Sequence, residues 1–108
     1  MKRIYLSGPI SGFAKYHDKF KACKNMLMAA GYHNIINPAE LDAVINKASY
    51  EEYMGLCLGL IDMCDVIVLL PGWEQSIGAN REYGYALGKD KLIFTFEELM
   101  EAENGTHA

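Results

Sequence analysis

Residues 65–70 read Asp-Val-Ile-Val-Leu-Leu, and Pro71-Gly72-Trp73 follows at once. A strand with one solvated face alternates apolar and polar residues. A run apolar throughout needs cover on both faces, as in a central strand of a parallel sheet. Pro71 and Gly72 end the run. Downstream, Ser76 is placed to cap a helix over residues 77–88, residues 92–96 read as a last strand, and 97–103 as a short terminal helix before a frayed tail. Upstream, Ser49-Tyr50-Glu51-Glu52 is a capping-box pattern that opens a helix running to about residue 63. Tyr53, Met54, Leu58 and Ile61 form its apolar stripe.

Further upstream the pattern alternates again. Residues 39–46 read as a helical turn or two, and 34–37 as a second strand ending at Pro38. Phe13, Tyr16, Phe20, Cys23, Leu27 and Ala30 recur at helical spacing over 13–30, with Gly31 as terminator. Residues 2–7 read as the first strand, with Ile4 and Leu6 on one face, stopped by Gly8-Pro9. Strands alternating with helices predict an α/β fold, a small doubly wound parallel sheet, in one domain spanning 1–108. Ligands of such sheets lie beyond the carboxyl ends of the strands. The segments there are Gly-Pro-Ile-Ser-Gly (8–12), the Asn37-Pro38 turn, and Pro-Gly-Trp-Glu-Gln-Ser (71–76).

Composition narrows the classes. The 108 residues are 51% hydrophobic and 22% charged, too apolar for intrinsic disorder. The formal charge of −4 argues against gripping a nucleic-acid polymer over a broad surface. Lys15, Lys19, Lys21 and Lys24 read as a solvated helix face. The longest run without a formal charge, 25–39, is too short to cross a bilayer. The first residues lack the apolar core of a secretion signal. With three cysteines and no CxxC, free cytosolic thiols are the simpler reading than a disulfide scaffold. His17, His33 and His107 lie far apart, so the sequence predicts no metal site.

The first loop combines Gly8 and Gly12 around Ile10, with Ser7 and Ser11 as hydroxyl donors. It leads into a helix N-terminus that favours an anion, although a tight turn needs the same glycines. It is neither GxGxxG nor a P-loop. In the third segment, Gly78, Glu82 and Ala86 fall on one helical stripe, and the small residues leave room beside Glu82. The helix field favours the ionised carboxylate, which suits a nucleophile. The bland alternative is a surface ion pair. Trp73 could stack on a planar ligand or serve as a core aromatic. Tyr5 could turn its hydroxyl to the ligand edge or simply fill the core. Glu74 reads as solvated, and Asp65 as a turn residue at the far end of the central strand.

Three segments, YLSGPISG (5–12), INPAEL (36–41) and CDVIVLLPGWEQSIGANREYGYALGK (64–89), together resemble small bacterial and phage proteins related to nucleoside 2-deoxyribosyltransferases. That superfamily includes the 2′-deoxynucleoside 5′-phosphate N-hydrolases. The resemblance runs from Ile4 to about Phe94. It implies a flavodoxin-like fold, a homodimer or larger oligomer, no cofactor, and cleavage or transfer at the N-glycosidic bond of a small nucleoside or nucleotide. It implies Glu82 as nucleophile and Tyr5 as the first-strand tyrosine. Ser7, Gly8, Ile10 and Gly12 fall in the sugar- or phosphate-binding loop, Ser76 is the helix-cap serine with Gly78, and Trp73 would meet the base. A further aspartate, which assists the leaving base in the family, falls on Cys57 here. The proton for that base is then left to Asp62, Glu40, water or Cys57. A binder that kept the pocket and lost the acid is the competing expectation, and an oligomeric interaction protein with a vestigial site is a third.

Overall fold

Four parallel strands carry the structure: β1 (Ile4–Ser7), β2 (Ile35–Ile36), β3 (Val66–Leu69) and β4 (Leu92–Thr95), in the order β2-β1-β3-β4. The computed structural model describes residues 2–10, 15–43, 45 and 47–105. Among the described residues, four helices connect or follow the strands: α1 (Tyr16–Ala29), α2 (Tyr50–Asp62), α3 (Ile77–Gly88) and α4 (Phe96–Gly105). Two 3₁₀ segments, Pro38–Ala43 and Trp73–Gln75, complete the order. This is the small doubly wound, flavodoxin-like α/β arrangement. No helix among the described residues is long and apolar enough to cross a membrane.

The apolar run of residues 66–70 is central because it is covered on both sides. β3 pairs with β1 through Ile4↔Val66 to Ser7↔Leu69 and with β4 through Val66↔Leu92 to Leu69↔Thr95. Side chains alternate between faces. Ile4, Leu6, Val66, Val68 and Leu70 pack on Phe20, Cys23 and Leu27 of α1 and on Phe96 and Leu99 of α4. Tyr5, Ile67 and Leu69 pack on Cys57 and Ile61 of α2 and Ala86 of α3. The one-residue alternation in β1 therefore sends Tyr5 and Ser7 towards α2 and α3, and Ile4 and Leu6 the other way.

Local signals set the helix ends. At α2, the Ser49 hydroxyl accepts from the Glu52 amide and the Glu52 carboxylate accepts from the Ser49 amide, so both halves of the capping box are formed. Ser76 caps α3 by accepting from the Ala79 amide at 3.1 Å. The strand expected over 92–96 stops at Thr95. Thr95 and Glu98 make a second reciprocal cap, which starts α4 at Phe96. The helical turns expected over 39–46 are the 3₁₀ segment Pro38–Ala43. The start of the first helix expected at Phe13, with Ser11 and Gly12 before it, lies outside the described residues.

The turn after β3 fixes the third loop. Pro71-Gly72 forms a tight turn in which the Trp73 amide donates to the Leu70 carbonyl at 3.1 Å. Gly72 has φ +89°, ψ 1°, the left-handed conformation that the third position of a type II turn requires. The Lys19 ammonium donates to the Pro71 carbonyl, tying α1 to this turn. Lys24 pairs with Glu40 at 2.7 Å. Part of the lysine face expected to be solvated thus holds loops.

Candidate functional site

A cavity of about 330 Å³ opens at the carboxyl ends of β1 and β3, between the first turns of α2 and α3. Its volume is in the range of small-molecule sites. Gly8 and Ile10 line it from the first loop, and Tyr50, Tyr53 and Met54 from α2. Gln75, Ser76, Ile77, Gly78, Ala79 and Glu82 line it from the α3 side. The expected location at the strand ends is therefore occupied by two of the three expected loops. The Asn37-Pro38 turn does not line this cavity. Its part is indirect: the Pro38 carbonyl accepts from the Tyr53 hydroxyl at 3.0 Å, bracing a cavity wall.

Glu82 is the chemical centre. It is 6% exposed, and both carboxylate oxygens are held from β1. The Tyr5 hydroxyl donates to Oε2 and the Ser7 hydroxyl to Oε1, each at 2.6 Å. Tyr5 and Ser7 are themselves fully buried. The Cys57 thiol, from α2, stands beside Glu82 and Tyr5 and acts on the ionisation of each. Two buried hydroxyls of β1 thus fix one carboxylate against a cavity wall. The surface-ion-pair alternative for Glu82 does not hold; Arg81, its neighbour, makes that pair instead, with Glu51 at 2.9 Å.

The ionisation of Glu82 corrects one expectation. Burial pushes its carboxyl above the ordinary carboxylate range, and the donors Ser7, Tyr5 and Cys57 pull it only partly back. The helix field does not decide the matter, because Glu82 is the sixth residue of α3, beyond the first turn where that field acts. Burial, with the Glu82 charge second, holds the Tyr5 phenol well above its usual value. Tyr5 stays a hydrogen-bond donor and not a proton source.

The remaining predicted residues divide. Ser76 and Gly78 line the cavity: Ser76 caps α3 there, and a Cβ on Gly78 would stand 3.4 Å from the Tyr50 hydroxyl and 3.6 Å from the Met54 sulfur. Gly8 and Ile10 line it as well, but the reason for glycine at 8 is packing, since a Cβ there would stand 3.0 Å from Leu70 Cβ. Gly12 lies outside the described residues. Trp73 does not line the cavity. Its ring packs on Tyr83, centroids 5.1 Å apart, and on the α2–α3 core, so the core reading replaces the stacking one. Asp62 and Glu40 are also elsewhere, Asp62 accepting from the Tyr85 hydroxyl at 2.8 Å and Glu40 paired with Lys24. Asp65 accepts from the Arg3 amide at 2.9 Å, a bond that ties the start of β3 to the start of β1 in place of the turn role expected of it, and Glu74 is exposed.

The sequence reading missed the α2 wall of Tyr50, Tyr53 and Met54, the lining residues Gln75, Ile77 and Ala79, and the proximity of Cys57. Helical arithmetic held a signal for Cys57. It stands four residues after Tyr53 and four before Ile61, on the stripe that packs against the sheet. Among the described residues no cluster of His, Cys, Asp and Glu is disposed to hold a metal ion.

The chain belongs to the family described as "Domain of unknown function (DUF4406)", whose family model matches residues 2–95, from before β1 to the end of β4. No curated protein matches it.

Proposed function

We propose that the protein cleaves or transfers the N-glycosidic bond of a nucleoside or deoxynucleoside, or of its 5′-monophosphate, with Glu82 as the nucleophile. The observation that carries this reading is a buried carboxylate on the wall of a small-molecule cavity, with both oxygens fixed by Tyr5 and Ser7. The resemblance of the first-strand loop and the WExSxGAxxE segment to nucleoside 2-deoxyribosyltransferases adds to it.

Breaking the bond builds positive charge on the sugar ring, and a carboxylate beneath the anomeric carbon stabilises or captures it. Two hydroxyl donors hold Glu82 in one orientation, so little reorganisation accompanies attack. The amides at the start of α3, beside Ser76, favour the oxygen-rich end of the sugar or its phosphate. Water as acceptor gives hydrolysis, and a second base gives transfer. A homodimer or larger assembly follows from the same resemblance, and Ile77, 79% exposed at the cavity, offers it apolar surface. Three free thiols fit a cytoplasmic setting.

The test is release of free base from a panel of nucleosides and 5′-monophosphates, followed by chromatography. Glu82→Gln keeps the shape of the side chain and abolishes release. Equal release by the variant and the parent protein refutes the role of Glu82. The second reading is a non-catalytic nucleotide binder. It is favoured by one observation, that Glu82 is the only carboxylic acid among the described residues lining the cavity. Nucleotide-dependent thermal stabilisation with no base release from any substrate selects it.

A further inference from the structure

That Glu82 is the one carboxylic acid among the described residues lining the cavity has a chemical consequence. When a neutral purine or pyrimidine leaves an anomeric carbon, the departing nitrogen takes the bonding pair and becomes an anion unless a general acid protonates it. The groups near Glu82 are poorly suited to supply that proton. The Cys57 thiol stands beside it, but a thiol, with an ordinary pKa of about 8.5, is a poor replacement for a carboxylic acid. Tyr53 donates its hydroxyl to the Pro38 carbonyl, and the Tyr5 phenol is held well above its usual range. Asp62 and Glu40 are engaged outside the cavity. Residues 11–14 of the first loop are Ser-Gly-Phe-Ala, which carry neither carboxyl nor imidazole.

The charge pattern of the cavity points the same way. No Lys, Arg or His is among the described residues lining it, and Tyr50 and Tyr53 line it with aromatic rings. One fixed carboxylate among aromatic and aliphatic walls complements a cation better than an anion.

We infer that the site takes N-glycosides whose leaving base already carries a positive charge, such as an N-ribosylated pyridinium or an N7-alkylated purine. The inference rests on the N-glycosidic reading above and names its substrate class. The bond from the anomeric carbon to the cationic ring nitrogen breaks, its electron pair neutralises that nitrogen, and the base departs uncharged with no proton required. A Glu82 oxygen bonds to the anomeric carbon. Water then adds its oxygen there, the carboxylate leaves with its pair, and the water proton passes to solvent. One water is consumed and one proton released per turnover. A cation against Glu82 also offsets the burial that pushes its carboxyl up, so binding and ionisation reinforce each other.

Nicotinamide riboside and 7-methylguanosine are compared with guanosine and deoxyadenosine, with base release corrected for enzyme-free controls. The expected result is a kcat/KM at least about a hundredfold higher for the two cationic substrates, lost in Glu82→Gln. A binding readout uses 1-methylnicotinamide, which has no glycosidic bond. It is expected to bind the parent protein more tightly than Glu82→Gln, with affinity rising with pH as Glu82 ionises, while neutral nicotinamide shows neither effect. Cys57→Asp places a carboxyl beside Glu82 and is expected to raise release from guanosine, its fold checked by circular dichroism. Release from guanosine or deoxyadenosine as fast as from the cationic pair overturns the inference and leaves the N-glycosidic reading standing. Release from no substrate overturns both. Equal affinity of 1-methylnicotinamide for parent and Glu82→Gln overturns the charge argument.

Discussion

Replacing Tyr5 by Phe removes one oxygen from a fully buried site and leaves the ring to pack as before. The lost bond is the 2.6 Å contact to Glu82 Oε2. A hydrogen bond to a charged group contributes about 1.5–3 kcal/mol, and one between neutral groups about 0.5–1.5 kcal/mol. The cost of Tyr5→Phe therefore depends on whether Glu82 is ionised. Glu82 is a carboxyl whose folded value lies above its unfolded value. Its protonated form is the one the fold prefers. Stability is greatest below the ordinary carboxylate range, falls as pH rises from there to the folded value, and is flat beyond it. Removing a donor to the charged form widens that window upward and deepens the loss at neutral pH. Urea unfolding of both proteins at several pH values should show a deficit of about 1.5–3 kcal/mol on the alkaline side of the window, shrinking to about 0.5–1.5 kcal/mol on its acid side. In a Glu82→Gln background only the smaller deficit should appear at any pH. The same deficit at every pH and in both backgrounds refutes a charge-assisted Tyr5–Glu82 bond, and with it the account of how Glu82 is held.

Substitutions at three further positions test the frame around the site by denaturant unfolding. Gly8→Ala drives a Cβ to 3.0 Å from Leu70 Cβ and should cost about 1–3 kcal/mol through overpacking; no change means the first loop relaxes freely. Gly72→Ala places a side chain at φ +89° and should cost about 1–2 kcal/mol, whereas a stabilised variant would contradict the turn assignment. Ser49→Ala removes the hydroxyl half of the α2 capping box and should cost about 1 kcal/mol, while Ser49→Asp, which keeps an acceptor, should cost less.

Most of the fold was legible because its signals are local and strong. The run 66–70 demanded cover on both faces, and the sheet places it between β1 and β4. Ser49 with Glu52, and Ser76 alone, marked the starts of α2 and α3 to the residue. The end of β4 was misjudged for a reason of the same kind. Thr95-Phe96-Glu97-Glu98 carries the same Thr-x-x-Glu capping box, but it lies inside an apolar stretch whose strand pattern masks it.

The site was less legible, because its properties depend on what lies across the sheet and not on neighbours in sequence. Spacing along α3 identified Glu82 as the residue with room beside it, yet the helix-field argument gave the wrong direction for its ionisation. A field that fades within one turn cannot outweigh burial at the sixth residue. What keeps a carboxylate there at all is the pair of hydroxyls that β1's alternation turns towards α3. Of the two readings open for Trp73, the core one matches where its ring lies. Its position after a turn suggested a ligand-facing ring, but the left-handed Gly72 leads the chain back and lays that ring on Tyr83. Cys57 completes the argument. As a residue type it suggested only a lost acid, whereas the structure places it against Tyr5 and Glu82, with Glu82 the one carboxyl among the described residues lining the cavity. One carboxyl and no cation on the described walls is the charge pattern from which the cationic substrate class is inferred.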